Sequence, residues 1–278
     1  MELSTKDPAL AALLAWYLEA GVDETIGEEP LDRYAEPVPG TVAPAVAPAV
    51  AEAAADPPQA PAAAKAPSVA HRPPVAAAVA AAGDASTLEE LRATLASFDG
   101  CALAKTATNL VFGEGCATAR VVLIGEAPGS EEDRRGLPFV GPSGQLLDRM
   151  LASIGLSRAN VFISNTVFWR PPGNRSPSSG EVAVCLPFLE RMIELVDPLV
   201  LVALGGPAAN ALLGRGESIG KLRGRWFTYQ TPRLARPVAT TALFHPAYLL
   251  RTPGQKRLAW RDLLALRHKL DDLGGQTE

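Results

Sequence analysis

Four short apolar runs punctuate the later part of the chain: RVVLIG (120–125), NVFISNT (160–166), PLVLVALG (198–205) and PVATTALFH (237–245). Each is rich in branched or aromatic residues and carries Gly, Asn or His at or next to its end, which predicts buried strands. Helical spacing of apolar positions fills the intervals: SGQLLDRMLASIG (143–155), SGEVAVCLPFLERMIELV (179–196) and GPAANALLG (206–214), with QKRLAWRDLLALRHKLDDL (255–273) after the last run. Ahead of the first run, STLEELRATLASF (86–98) reads as a helix, with Ser86 or Thr87 as its cap and Glu89 or Glu90 in capping-box range. Short apolar strands alternating with helices predict an α/β domain whose parallel sheet is covered on both faces. In such a sheet the functional loops gather at the carboxyl ends of the strands. The GEAPG loop after the first strand, Asn165, the Gly205-Gly206 turn and His245 all share that location.

The N-terminal third follows different rules. Residues 7–26 place Leu10, Leu13, Leu14, Tyr17 and Leu18 at three- and four-residue spacing, the mark of an amphipathic helix that docks on the domain or on another protein. Of the 44 residues in 41–84, 28 are Ala or Pro, a composition that predicts an extended tether rather than a core. The chain therefore divides into a helix-bearing segment (1–35), a disordered Ala/Pro linker (36–84) and an ordered domain (85–278).

Charge sharpens this division. The net charge of -4 hides an acidic residue 1–84 region, with 4 Lys/Arg and 12 Asp/Glu, and a domain with 22 and 18, which is +4. A mildly basic domain is compatible with a polyanionic partner. No apolar stretch is long enough to span a membrane, and the MELSTKD start lacks the features of a secretory signal, so a soluble, cytoplasmic protein is expected. Cys101, Cys116 and Cys185 form no CxxC, so reduced thiols are expected.

Among three histidines, His71 lies in the tether and His268 among Arg267 and Lys269, whereas His245 follows a strand and is stiffened by Pro246. GEAPG has neither the lysine of a phosphate loop nor the spacing of a dinucleotide turn; its glycines admit a ligand close to the backbone while Glu126 faces the crevice. Asn165 offers a donor and an acceptor side by side, matching a pyrimidine edge, and Phe139 offers a flat apolar surface for a base.

Together, GEAPGSEEDRRGLPFVGPSGQLLDRML, ISNTVFWRPPGNRSP, VALGGPAANALLG, KLRGRWF and HPAYLLR resemble, in order and spacing, the family-4 uracil-DNA glycosylases. The resemblance covers most of residues 85–275 and none of the N-terminal third. It implies a three-layer α/β/α sandwich with a central four-stranded parallel sheet, and a monofunctional glycosylase, without lyase activity, that removes uracil from DNA to start base excision repair. On the matching positions, Phe139 is the ring on which the extruded uracil stacks and Asn165 the amide that reads its polar edge. His245 would hydrogen-bond a uracil carbonyl, and Glu126 would stand near the sugar and water as base or orienter, with Ala127 beside it as a substrate contact. Glu132 matches an acid beside uracil C5, where thymine carries a methyl; Glu131 and Asp133 read as solvated or paired with Arg134 and Arg135. A carboxylate near an electron-poor sugar and a donor near an anionic leaving base both act where charge develops.

Flipping the nucleotide out leaves a gap in the stack that Leu249, Leu250 or Arg251 would fill, the leucines being otherwise buried. Arg170 and Arg175, the helix start at Ser143 and Gly144, and the Lys221, Arg223 and Arg225 run are candidates for phosphate contact.

The family carries a four-iron cluster on four cysteines, and the corresponding positions here read Phe98, Cys101, Trp169 and Cys185. Two thiolates do not hold a cluster that needs four. The expectation is a dry apolar plug, with no iron, no metal and no cofactor. Uracil-containing DNA is the expected partner and uracil the product, with a monomer as the working state and a protein partner possible through residues 7–26. The alternatives are a uracil or abasic-DNA binding protein that does not turn over or that traps the sugar, and an accessory module of a repair polymerase. No basic insertion follows Arg251, which weighs against the trapping form.

Overall fold

The computed structural model describes residues 74–274. The strands are β1 (Glu114–Gly115), β2 (Val121–Gly125), β3 (Phe162–Asn165), β4 (Val200–Leu204), β5 (Trp226–Tyr229) and β6 (Val238–Leu243). The helices are α1 (Pro74–Asp84), α2 (Leu88–Ala96), α3 (Ser130–Arg135), α4 (Pro142–Ala152), α5 (Ser179–Val196), α6 (Gly206–Leu213), α7 (Ile219–Leu222), α8 (Pro246–Arg251) and α9 (Lys256–Gly274). None of them is long and apolar enough to cross a membrane.

The sheet runs β1-β3-β2-β4-β6-β5. Its centre is the expected parallel set: β2 pairs with β3 and β4, and β4 with β6. Two antiparallel edge strands extend it to six, β1 against β3 and β5 against β6. Neither edge strand follows from pattern. β1 is two residues long, and β5 begins inside the KLRGRWF run, where flanking arginines mask a strand that alternates Trp226 toward one core and Phe227 toward the other.

Period-two alternation splits the strands between two cores. Val122, Ile124, Leu201 and Ala203 face α1, α2, α5 and α6, whereas Val121, Leu123, Val202 and Leu204 face α4, α8 and α9. The result is the three-layer α/β/α arrangement. α2 begins on Thr87, whose hydroxyl accepts from the Glu90 N–H at 3.1 Å, while the Glu90 carboxylate accepts from the Ser86 N–H at 2.7 Å.

One boundary differs from the expectation. Residues 74–84 fall inside the stretch assigned to a disordered linker, yet they form α1 and pack on α5. Alanine is the strongest helix former, and Pro74 opens the helix where the missing N–H costs nothing. Ala78 and Ala82, one turn apart, are buried at 0% and 2% exposure because their small side chains let two helices approach closely. Arg233 and Arg191 then donate to the carbonyls of Gly83 and Ala85 at 2.8 and 2.9 Å, satisfying acceptors at the helix end. Residues 7–26 and the rest of the linker lie outside the described residues.

Candidate active site

A cavity of about 460 Å³ opens at the carboxyl ends of β2, β4 and β6, and Glu126, Ala127, Arg175, His245, Tyr248 and Arg251 are on its wall. Behind the wall Gly125, the last residue of β2, is squeezed between two predicted site residues. A Cβ there would stand 2.6 and 2.8 Å from ring atoms of Phe139, and closer still to Asn165 Oδ1. Glycine is therefore required at 125. Phe139 also faces His245, their rings 5.6 Å apart and tilted by 31°. The ring, the carboxamide and the imidazole thus converge from a loop and two strand ends.

Asn165 is 1% exposed, and its Nδ2 has no hydrogen-bond partner. A buried amide donor left unsatisfied costs roughly 1–3 kcal/mol, a cost that a ligand carbonyl would remove. His245 caps α8 by accepting the Ala247 N–H on Nδ1 at 3.1 Å, so a neutral ring carries its proton on Nε2. Burial, reinforced by the Arg251 charge and opposed by Glu132, pushes this imidazole down to about 4. The ring is therefore a neutral donor at physiological pH. Gly205, at φ 97°, makes room for it, since a Cβ there would lie 3.2 Å from that of His245.

Phe139 itself sits at φ 53°, an unusual conformation for an aromatic residue. Three neighbours hold it there. Glu132 Oε1 accepts from the N–H groups of Val140 and Gly141, each at 2.9 Å. Arg158 donates to the carbonyls of Pro138, at 3.0 Å, and Phe139, and is braced by Glu114 at 2.6 Å and Asp148 at 2.8 Å. Gly144 leaves the space that the Phe139 carbonyl occupies.

Backbone donors hold the acidic loop, and one expectation about it is corrected. At 8% exposure the Glu132 carboxylate accepts from the backbone that leads into α4. Asp133 is neither solvated nor paired with an arginine, because it is 5% exposed and accepts from the N–H groups of Thr108 and Asn109 at 2.8 and 3.0 Å. Both arrangements have one cause: a buried carboxylate needs donors, and here they are backbone amides. Glu131 does pair with Arg134, at 2.7 Å.

The DNA-facing candidates separate by exposure. Leu249 is core, at 1%, whereas its neighbour Leu250 is 44% exposed. Arg251 is exposed on the cavity rim, and Ser143 is half-buried in the first turn of α4. Arg175 reaches the cavity while bonded to Glu181 at 2.7 and 2.9 Å, and that pairing holds the Glu181 carboxyl down to about 2. Arg170 donates to Asn174 at 2.7 Å. Lys221 and Arg225 are exposed, but Arg223 leaves the phosphate candidates: it pairs with Asp262 at 2.6 and 2.8 Å and lies 5.1 Å over the Phe244 ring. Sequence reasoning missed Arg158, Thr166, whose hydroxyl donates to the Glu126 carbonyl at 2.6 Å, and Tyr248. Thr166 and Tyr248 lie inside two of the quoted motifs, while nothing local marks Arg158.

On the other side of the sheet, Cys101 and Cys185 lie with sulfurs 4.0 Å apart in one apolar cluster with Trp169, and Phe98 packs against it. Phe98 meets Phe188 at 5.1 Å, and Trp169 meets Phe168 edge-on at 6.4 Å.

The sequence is similar to those of known proteins. A family model described as the uracil DNA glycosylase superfamily matches residues 112–264. The chain is 39% identical over 180 residues to a type-4 uracil-DNA glycosylase of Pyrobaculum aerophilum, covering 63% of this chain and 91% of that protein. It is 42% identical over 139 residues to the type-4 enzyme of Archaeoglobus fulgidus, covering 49% and 69%, and 44% identical over 133 residues to that of Thermotoga maritima, covering 48% and 67%. The match runs from Phe112, ahead of β2, into α9 and takes in Phe139, Asn165 and His245, and this chain belongs to the uracil DNA glycosylase superfamily.

Proposed function

We propose that this protein is a monofunctional uracil-DNA glycosylase that hydrolyses the N-glycosidic bond of deoxyuridine in DNA and so starts base excision repair. The observation that carries this reading is the unpartnered Nδ2 of Asn165, buried beside Phe139. A flipped uracil stacked on Phe139 presents a carbonyl to that amide and its N3–H to Oδ1, which cytosine, with no N3–H, does not match. As the bond breaks, negative charge grows on the base, and His245 Nε2–H donates to it as a neutral acid that needs no prior protonation. Glu126, on the cavity wall, stabilises the electron-poor sugar and orients the attacking water, with Ala127 beside it. No lysine is on the cavity wall among the described residues, in keeping with water rather than an amine as nucleophile.

Leu250 fills the gap left by the flipped nucleotide, and Ser143, Arg170, Arg175 and Arg251 contact backbone phosphates. The enzyme works without an iron–sulfur cluster. Two thiols flanked by two aromatic rings do not fit a group that needs four thiolates, and no group of three or more ligating side chains stands together among the described residues. It acts as a cytoplasmic monomer, with residues 7–26 as the segment for a protein partner.

The test is strand cleavage after alkali of an oligonucleotide holding one deoxyuridine. The protein should remove the uracil and leave an alkali-labile site, and Asn165→Ala and His245→Ala should each be slower by roughly 10²-fold or more. Uncut DNA at excess protein overturns the reading.

A further inference from the structure

We propose that Cys101 and Cys185 form a buried, reversible disulfide when the folded protein meets a peroxide, a covalent staple between the segment after α2 and the middle of α5. The two sulfurs are already in contact at 4.0 Å, and each residue is all but excluded from solvent, at 2% and 1% exposure. A disulfide needs a separation of about 2.05 Å, so side-chain rotation through about 2 Å completes it. The neighbours in this cluster are largely apolar, Phe98, Trp169 and Phe188 among them, while the charge of Glu181, one turn before Cys185 on α5, disfavours a thiolate on either sulfur.

The local electrostatics divide the roles. Cys101 precedes the short 3-10 turn Ala102–Lys105, and its sulfur accepts the Cys185 S–H, a contact that lowers its thiol against the opposing effect of burial. Cys185, on α5, is pushed upward by the same contact and by burial, and keeps its proton. The direction of the S–H···S contact makes Cys101, the acceptor, the attacking sulfur and Cys185 the resolving thiol. In the first step the Cys101 thiolate takes an oxygen from hydrogen peroxide, giving a sulfenic acid and, with one proton, water. In the second the Cys185 sulfur bonds to the Cys101 sulfur, and the sulfenic oxygen leaves as water with the Cys185 proton. Two thiols and one peroxide give one disulfide and two waters.

The third cysteine does not enter. Cys116 Sγ pairs with the Thr118 hydroxyl at 3.5 Å and is half-exposed. The staple also stands apart from catalysis, because the cysteines belong to the core under α1, α2, α5 and α6, whereas Phe139 belongs to the core on the opposite face of the sheet. Closing the loop between residues 101 and 185 restricts the unfolded chain and raises thermal stability.

The experiment uses the full chain carrying Cys116→Ser, treated with hydrogen peroxide and then quenched. The expected result is a loss of 2 Da without reductant, a Cys101–Cys185 cross-linked peptide, and a Tm higher by several degrees. Dithiothreitol should reverse all three, and uracil excision should stay within twofold. In Cys185→Ala the mass should instead rise, with Cys101 trapped by dimedone as the sulfenic acid. Two free thiols after peroxide, or oxygen added to one cysteine without a cross-link, overturns the proposal. It rests on the cluster-free reading, and iron in the purified protein would overturn that reading and the disulfide together, leaving uracil excision untouched.

Discussion

The Arg158 guanidinium donates to the backbone carbonyl of Phe139, the residue held at φ 53° and proposed to stack on the base. Arginine is fitted to this task by its planar fork, which spans two adjacent carbonyls while Glu114 and Asp148 brace its other face. Arg158→Ala should misplace the stacking ring by a fraction of an ångström and lower kcat for uracil excision by roughly 10-fold to 10²-fold. Arg158→Lys should recover only part of this. Single-turnover rates and inhibition by free uracil give the answer, and undiminished uracil inhibition in Arg158→Ala would show that the ring does not depend on this contact.

Glu132 gives a sharper choice between two roles. A carboxylate lining the pocket beside uracil C5 would, when shortened, admit thymine. A carboxylate clamping the N–H groups of Val140 and Gly141 would, when shortened, loosen the loop and leave thymine excluded. The clamp predicts that Glu132→Ala loses about 3 kcal/mol in denaturant unfolding, from charge-assisted bonds to one buried and one part-buried donor. No thymine excision should appear from a T:G duplex.

His245 sets a dependence on pH. Its folded-state value is about 4 against 6.5 for the free side chain, so between these values the unfolded chain binds more protons than the native one. Stability from this residue is complete above about pH 6.5 and is lost as pH falls toward 4. Replacing His245 by Gln should flatten the Tm profile in that window. Uracil excision should show no histidine limb between pH 6 and 8, because the donor form is already neutral there. A limb near pH 6.5 that vanishes in the variant would contradict the assignment.

The fold and site differ in how far the residues alone disclose them. β2, β3, β4 and β6 are visible because a strand buried on both faces must be apolar throughout, and Asn165 and His245 because they interrupt those runs at their ends. α1 is hidden because alanine lacks bulk, and bulk is what composition uses to recognise a core; Ala78 and Ala82 bury well for that very lack. Glu132, Asp133 and Arg158 are hidden for another reason: their partners are mainly backbone amides and carbonyls, which any residue supplies. The Arg223–Asp262 pair joins positions 39 apart, and within KLRGRWF its arginine is indistinguishable from the exposed Arg225.

Leu249 and Leu250 make a paired test of base flipping, since adjacent side chains on α8 face opposite environments. Leu249 is core, so Leu249→Ala should cost about 2–5 kcal/mol of stability and slow single-stranded and duplex substrates alike to the extent that the fold weakens. Leu250 is 44% exposed, so Leu250→Ala should shift stability by no more than about 0.5 kcal/mol. As the proposed wedge its effect belongs to the duplex, where an apolar side chain replaces the extruded nucleotide, whereas a single strand has no stack to repair. Excision from a U:A duplex should fall roughly 10-fold in Leu250→Ala while the single-stranded rate stays within twofold. Equal losses on both substrates would assign Leu250 to general DNA contact and leave Arg251, on the cavity rim, as the residue that fills the gap.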